Sequence, residues 1–118
     1  MGKIIMYGIS NCDMVKRAMA WFTKNNITFE FHDYKTSGIT KDKLALWIQK
    51  AGLDIILNKR STTWRSLPGA LQKKMISEDA AIRVMVENTS LIKRPVIVSG
   101  KKILVGFDED IFTREFLS

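Results

Sequence analysis

Residues 3–34, KIIMYGISNCDMVKRAMAWFTKNNITFEFHDY, decide how this chain folds. KIIMYG reads as a short buried strand that stops at Gly8, since a brief apolar run bounded by glycine is strand-like. In NCDMVKRAMAWFTKNN, Met14, Val15, Ala18, Trp21 and Phe22 recur at helical spacing, so a helix follows. ITFEFHDY then sets Ile27, Phe29 and Phe31 against Thr28, Glu30 and His32, the period of two of a half-buried strand. Strand, helix and strand in immediate succession form a crossover unit, so the two strands are predicted to run parallel.

Beyond Gly38 the pattern turns helical. Thr40 caps KDKLALWIQKAG, which gathers Leu44, Trp47 and Ile48 on one face and stops at Gly52. Leu53 to Leu57 reads as a short turn and STTWRSLPGA as a capped turn broken at Pro68. SEDAAIRVMVENTS reads as a helix with Ile82, Met85 and Val86 inward. In RPVIVSGKKILVGF, the runs Val96–Val98 and Ile103–Val105 form a hairpin around Gly100, and DEDIFTREFL closes as a capped amphipathic helix. The order β-α-β, helices, β-β-α is that of an α/β domain of thioredoxin-like (glutaredoxin-like) type, a mixed sheet flanked by helices. A helical subdomain is inserted at about residues 40–90, and residues 1–118 are expected to form one domain.

Composition narrows the function. With 118 residues and 46% apolar content, the chain has material for one real core. No stretch approaches the roughly 20 apolar residues of a membrane span, and MGKIIMYGIS is too short and polar for a signal peptide, so a soluble, cytoplasmic protein without a membrane partner is expected. Met6 breaks the N-myristoylation pattern, which asks for Ser or Thr there. The formal charge of +7 favours anionic partners, yet Lys and Arg are spread from Lys3 to Arg114 without a dense run. That is the distribution of a solvated surface, and no nucleic-acid partner is expected. One cysteine and one histidine cannot supply a zinc or iron–sulfur ligand set, so no metal and no bound cofactor are expected.

A lone cysteine is most simply a small buried apolar residue. The setting of Cys12 argues otherwise. It follows Asn11, a good N-cap residue, which would place it in the first helical turn. There, free backbone N–H groups and the positive end of the helix dipole favour a thiolate and make an anion site. A Cys-x-x-Cys partner would stand at Val15 and is missing, so any cycle on Cys12 needs an external thiol. His32, on a strand with polar alternation, is expected exposed and non-catalytic. Trp21, Trp47 and Trp64 read as core residues, with Trp64 close enough to Arg60 in sequence to border a site.

YGISNC opening a helix, FEFHDY, LNKRSTTWR and IKRPVIV together span nearly the whole chain and resemble the arsenate reductase (ArsC) family, most closely its YffB-like branch; the chain is similar to the Spx regulators as well. The resemblance implies that Cys12 is the nucleophile and that Arg60 and Arg94 stand near it, where guanidinium groups favour a thiolate and grip an oxyanion or carboxylate. Without it, both arginines would read as exposed surface charges. It also implies that Pro95 is a cis-proline beside the nucleophile, and that Asn11, Asp13, Arg60, Arg94 and Pro95 line the substrate site. Arsenate reductases of the glutaredoxin-linked type carry histidine where Gly8 stands, Gly-Thr-Ser where this chain has Asp13-Met14-Val15, and an arginine near Gly106-Phe107. These departures remove cations and add an anion, which weakens the grip on a tetrahedral oxyanion. The implied activity is a thiol reductase using glutathione as co-substrate, as a monomer, with glutaredoxin as a candidate partner. The alternatives are arsenate reduction proper and a Spx-like, non-catalytic protein that binds RNA polymerase through a face around Gly52.

Overall fold

A computed structural model describes residues 2–117. In chain order the elements are β1 (Ile4–Gly8), α1 (Asp13–Lys24), β2 (Glu30–Asp33), α2 (Tyr34–Ser37), α3 (Lys41–Ala51), α4 (Leu53–Ile56), α5 (Thr62–Ser66), α6 (Gly69–Lys74), α7 (Glu78–Glu87), a 3₁₀ turn (Thr89–Leu91), β3 (Val96–Ser99), β4 (Lys102–Val105) and α8 (Glu109–Phe116). The described residues up to Asp33 and from Arg94 form one compact unit, and Tyr34–Lys93 form a second.

The first unit is a four-stranded mixed sheet in the order β2-β1-β3-β4. β1 pairs parallel with β2, as the crossover requires, and antiparallel with β3, with Tyr7 opposite Val96 and Met6 opposite Ile97. β3 and β4 form the expected hairpin, turning at Gly100 in the left-handed region (φ 60°). This is the thioredoxin-like arrangement. On one face Ile4, Met6 and Ile97 meet Val15, Ala18, Trp21 and Phe22 of α1 and Phe112 and Phe116 of α8, all buried. The aromatic rings interlock: Phe22 and Phe112 stack with centroids 5.5 Å apart, and Trp21 meets Phe112 edge-on at 5.3 Å. Asp108 caps α8 by accepting from the Asp110 and Ile111 N–H groups. Lys102 of β4 donates to Glu115 at 2.8 Å, and that hydrogen bond and charge hold the Glu115 carboxyl below its ordinary value.

Two details of α1 and β2 depart from the sequence reading. Met14 is exposed, because it follows Asp13 at the very start of α1, before the helix face has turned onto the sheet. β2 begins only at Glu30: Asn26 takes positive φ (57°), and the Ile27 N–H bonds back to the Phe22 carbonyl at 2.9 Å. Ile27 and Phe29 therefore pack on the core before ladder pairing starts.

The second unit is helical. Thr40 accepts from the Lys43 N–H, α3 buries Leu44, Trp47 and Ile48, and the Gly52 N–H bonds to the Ile48 carbonyl at φ 95°, all as the sequence predicts. The stretch read as a short turn is the single helical turn α4. Ser61 caps α5 and Pro68 separates α5 from α6. On α7 the buried residues are Ala81 and Met85; Ile82 and Val86 are only half-buried. Asn58 N–H to Leu91 O (2.7 Å) and Lys93 N–H to Ile56 O (2.8 Å) tie the two ends of this unit's loop region together. Among the described residues no helix is long and apolar enough to cross a membrane, and no group of His, Cys, Asp and Glu could hold a metal ion.

Candidate functional site

β1 runs out at Gly8, three residues make the turn, and Cys12 immediately precedes α1. Cys12 is itself the N-cap, not a residue of the first turn: its backbone is extended (φ −146°, ψ 124°) and its carbonyl accepts the Lys16 N–H at 2.9 Å. Asn11 lies one residue outside the helix and is exposed. The sequence could not separate the two, because the preference for Asn as a cap favours the wrong neighbour by a single position. The correction moves the thiol closer to the helix end. An N-cap side chain occupies the position from which a serine oxygen would accept from the first-turn N–H groups. Here the sulfur makes no capping hydrogen bond, is half-buried, and packs against the aromatic core. Asp13 follows as an exposed residue in the first turn.

Arg94 and Pro95 belong to the same unit as Cys12. Their peptide bond is cis, and Pro95 is buried at the entry to β3. One step past the Tyr7–Val96 pair, the register sets Pro95 across from Gly8, the residue from which the Cys12 turn departs. The Pro95 carbonyl accepts the Gly106 N–H at 2.8 Å, with Gly106 at φ 87°. Arg94 is half-buried and its Nε fully so. A Cβ placed on Gly8 would stand 3.6 Å from the Arg94 Cβ and 2.7 Å from Val15 Cγ2. The end of β1, the first turn of α1 and the Arg94–Pro95 segment thus meet at Gly8.

Arg60 lies in the second unit, exposed, and lines a cleft of about 400 Å³ with Asp54, Leu57, Lys59 and Lys93. Its N–H donates to Asn58 Oδ1 and its carbonyl accepts from Arg65 Nη2, both at 3.1 Å. Lys59 also sits over the Trp64 ring, 5.6 Å from its centroid, and Trp64 is half-buried on α5, not a core residue like Trp21 and Trp47. His32 is half-buried on edge strand β2, opposite Tyr7, with ring centroids 4.8 Å apart. Sequence reasoning missed Lys59 and Lys93, which flank the two arginines it singled out. It also missed the close approach at Gly8, whose only signal is a glycine at a strand end.

The sheet and the cysteine-bearing helix start define the thioredoxin-like fold shared by thiol reductases. More narrowly, the chain belongs to the ArsC family, whose sequence profile matches residues 7–114. It is 41% identical over 113 residues to an uncharacterized protein of Haemophilus influenzae, covering 96% of this chain and 98% of that one. It is 30% identical over 109 residues to the global transcriptional regulator Spx of Streptococcus agalactiae, covering 91% and 78%. Among solved structures, a YffB protein superposes with a TM-score of 0.91 at 37% identity over 95% of this chain and 97% of the other. An arsenate reductase (ArsC) related protein from Brucella melitensis gives 0.76 at 32% identity, over 97% and 94%.

Proposed function

We propose that the protein is a cytoplasmic, monomeric thiol oxidoreductase that uses glutathione as co-substrate and Cys12 as its single nucleophile. The observation that carries this reading is the placement of the chain's one thiol at the N-cap of α1, in the unit that also holds Arg94 and Pro95. Thiolates are favoured at helix N-termini by the unpaired N–H groups and the dipole. The Cys12 thiolate attacks the glutathione sulfur of a mixed disulfide, forms an S–S bond with it and releases the substrate thiolate. A second glutathione thiolate then attacks that bond, giving oxidised glutathione and freeing Cys12. The substrate sulfur is reduced from disulfide to thiol and the sulfur of the second glutathione is oxidised from thiol to disulfide. The first glutathione sulfur stays at the disulfide level throughout, and the proton lost by the second glutathione goes to the departing thiolate. Arg94, in the unit of Cys12, holds a glutathione carboxylate. Asn11 and Asp13 border the entering substrate on either side of the thiol.

Following glutathione binding by chemical shift, alongside reduction of a glutathionylated peptide, tests the reading. Shifts at residues 9–15 and 94–95 with turnover abolished by Cys12→Ser are expected. Turnover that survives Cys12→Ser would sink it.

The identity to Spx favours a second reading, a protein that binds RNA polymerase through a face around Gly52. The missing second cysteine at Val15 argues against a redox switch of that kind. A pull-down with purified polymerase subunits separates the two.

A further inference from the structure

Gly8 is unlike the chain's other glycines. Its backbone lies outside the left-handed region, so nothing in its φ asks for glycine. Space does. A Cβ there would fall 2.7 Å from Val15 Cγ2 and 3.8 Å from Val15 Cβ, whereas ordinary contact begins at 3.4 Å, so something must move by about 0.7 Å. Val15 cannot swing aside: it is fully buried against the core and, being β-branched in a helix, is held to one strongly preferred rotamer. The displacement therefore falls on backbone, at the first turn of α1 or the end of β1, while the Arg94 Cβ on the other side, 3.6 Å away, would be in ordinary contact.

We propose that Gly8 and Val15 are a matched pair of positioning residues that fix the Cys12 thiol relative to the Arg94 guanidinium. Cys12 stands three residues before Val15, on the helix end that would be pushed. Arg94 stands on the other side of the same gap, next to Pro95, which is anchored through the Gly106 N–H. A Cβ at position 8 rests against Arg94 in ordinary contact and clashes with Val15, so it pushes the Cys12-bearing helix start away from the Arg94 side, and a smaller residue at position 15 removes the wedge. The inference rests on the reading of Cys12 as nucleophile for its catalytic consequence but not for its geometry.

Three full-length variants decide it: Gly8→Ala, Val15→Ala and the double variant, each with a thermal melt as a folding control. Two rates are read: turnover of a glutathionylated peptide, and alkylation of Cys12 by anionic iodoacetate relative to neutral iodoacetamide. The alkylation ratio reports the electrostatic field at the thiol, which a purely structural role of Gly8 would leave unchanged in the folded fraction. Gly8→Ala is expected to lower turnover and the ratio by about tenfold, since sub-ångström misplacement at a reacting centre costs one to two orders of magnitude. The double variant is expected to return within about twofold of Val15→Ala, the coupling of residues in direct contact. Wild-type behaviour of Gly8→Ala, or effects that simply multiply in the double variant, would overturn the pairing. Should Gly8→Ala fail to fold, a folded double variant that reacts like Val15→Ala supports it and an unfolded one overturns it. Absent turnover in the wild type would defeat the proposed activity, and the alkylation ratio would still judge the pair.

Discussion

Replacing Arg94 by alanine should weaken glutathione binding far more than replacing Arg60, and the difference follows from where each guanidinium sits. Arg94 is half-buried with its Nε withdrawn from solvent, so a carboxylate it grips is poorly screened. A charge-assisted hydrogen bond of that kind contributes about 1.5–3 kcal/mol. At about 1.4 kcal/mol per decade, its loss lowers affinity by about ten- to a hundredfold. Arg60 is exposed and shares its cleft with two lysines that can take over its charge. An exposed ion pair is worth at most about 1 kcal/mol, which limits Arg60→Ala to a loss of about fivefold. Arg94→Lys keeps the charge but not the fork and should fall between. Titrating glutathione into each variant while following amide shifts gives the affinities, and thermal melts establish that each remains folded. A larger loss for Arg60→Ala than for Arg94→Ala, with both folded, would refute the reasoning, as would unchanged affinity in both.

Arsenate should be a poor substrate beside a glutathione mixed disulfide, because Gly8, Asp13 and Gly106 offer no cation to a tetrahedral oxyanion; efficient, Cys12-dependent arsenate turnover in a glutathione- and glutaredoxin-coupled assay would contradict this. Phe112→Ala should destabilise the protein by about 3–5 kcal/mol in urea unfolding, since the ring is buried among Trp21, Phe22, Phe107 and Phe116. Because Lys102 holds the Glu115 carboxyl below 4.5, the pair's contribution to stability is present above that value and lost as pH falls through the lowered one. Lys102→Ala should therefore raise the Glu115 titration midpoint toward 4.5, as read by carboxyl NMR; no movement would exclude the pairing in solution.

What the sequence revealed was what local pattern and burial dictate together. Leu44, Trp47 and Ile48 fall on one helical stripe between a threonine cap and a left-handed glycine, so α3 could be read to the residue at its stop. The β1-α1-β2 unit and the last hairpin were legible for the same reason. The start of β2 was not, because Ile27 and Phe29 alternate correctly but bury themselves through a turn at Asn26 before any ladder forms. Of the two readings of Trp64, core or bordering a site, the core one fails, because an indole can also lie half-buried on a helix beneath a lysine. At the site, Cys12 stood out by its neighbours and Arg94 by resemblance. The clearance between Gly8 and Val15 could not be seen, because it is a distance between a strand end and a helix that no spacing along the chain encodes.

The unit that bears Cys12 is built from two separated stretches of chain, with β1 and β2 made early and β3, β4 and α8 made only after Lys93. Since β3 hydrogen-bonds directly to β1, a ribosome emitting this chain releases a strand pair whose central neighbour has not yet been synthesised. Residues 34–93 have their own internal contacts and can settle first, which shortens the effective loop that β3 must close to reach β1. The thiol consequently enters the cell before Arg94 exists to stand in the same unit, and its final environment is assembled last. On the proposed reading of Cys12 as nucleophile, the surroundings of the thiol are complete only once the sheet closes.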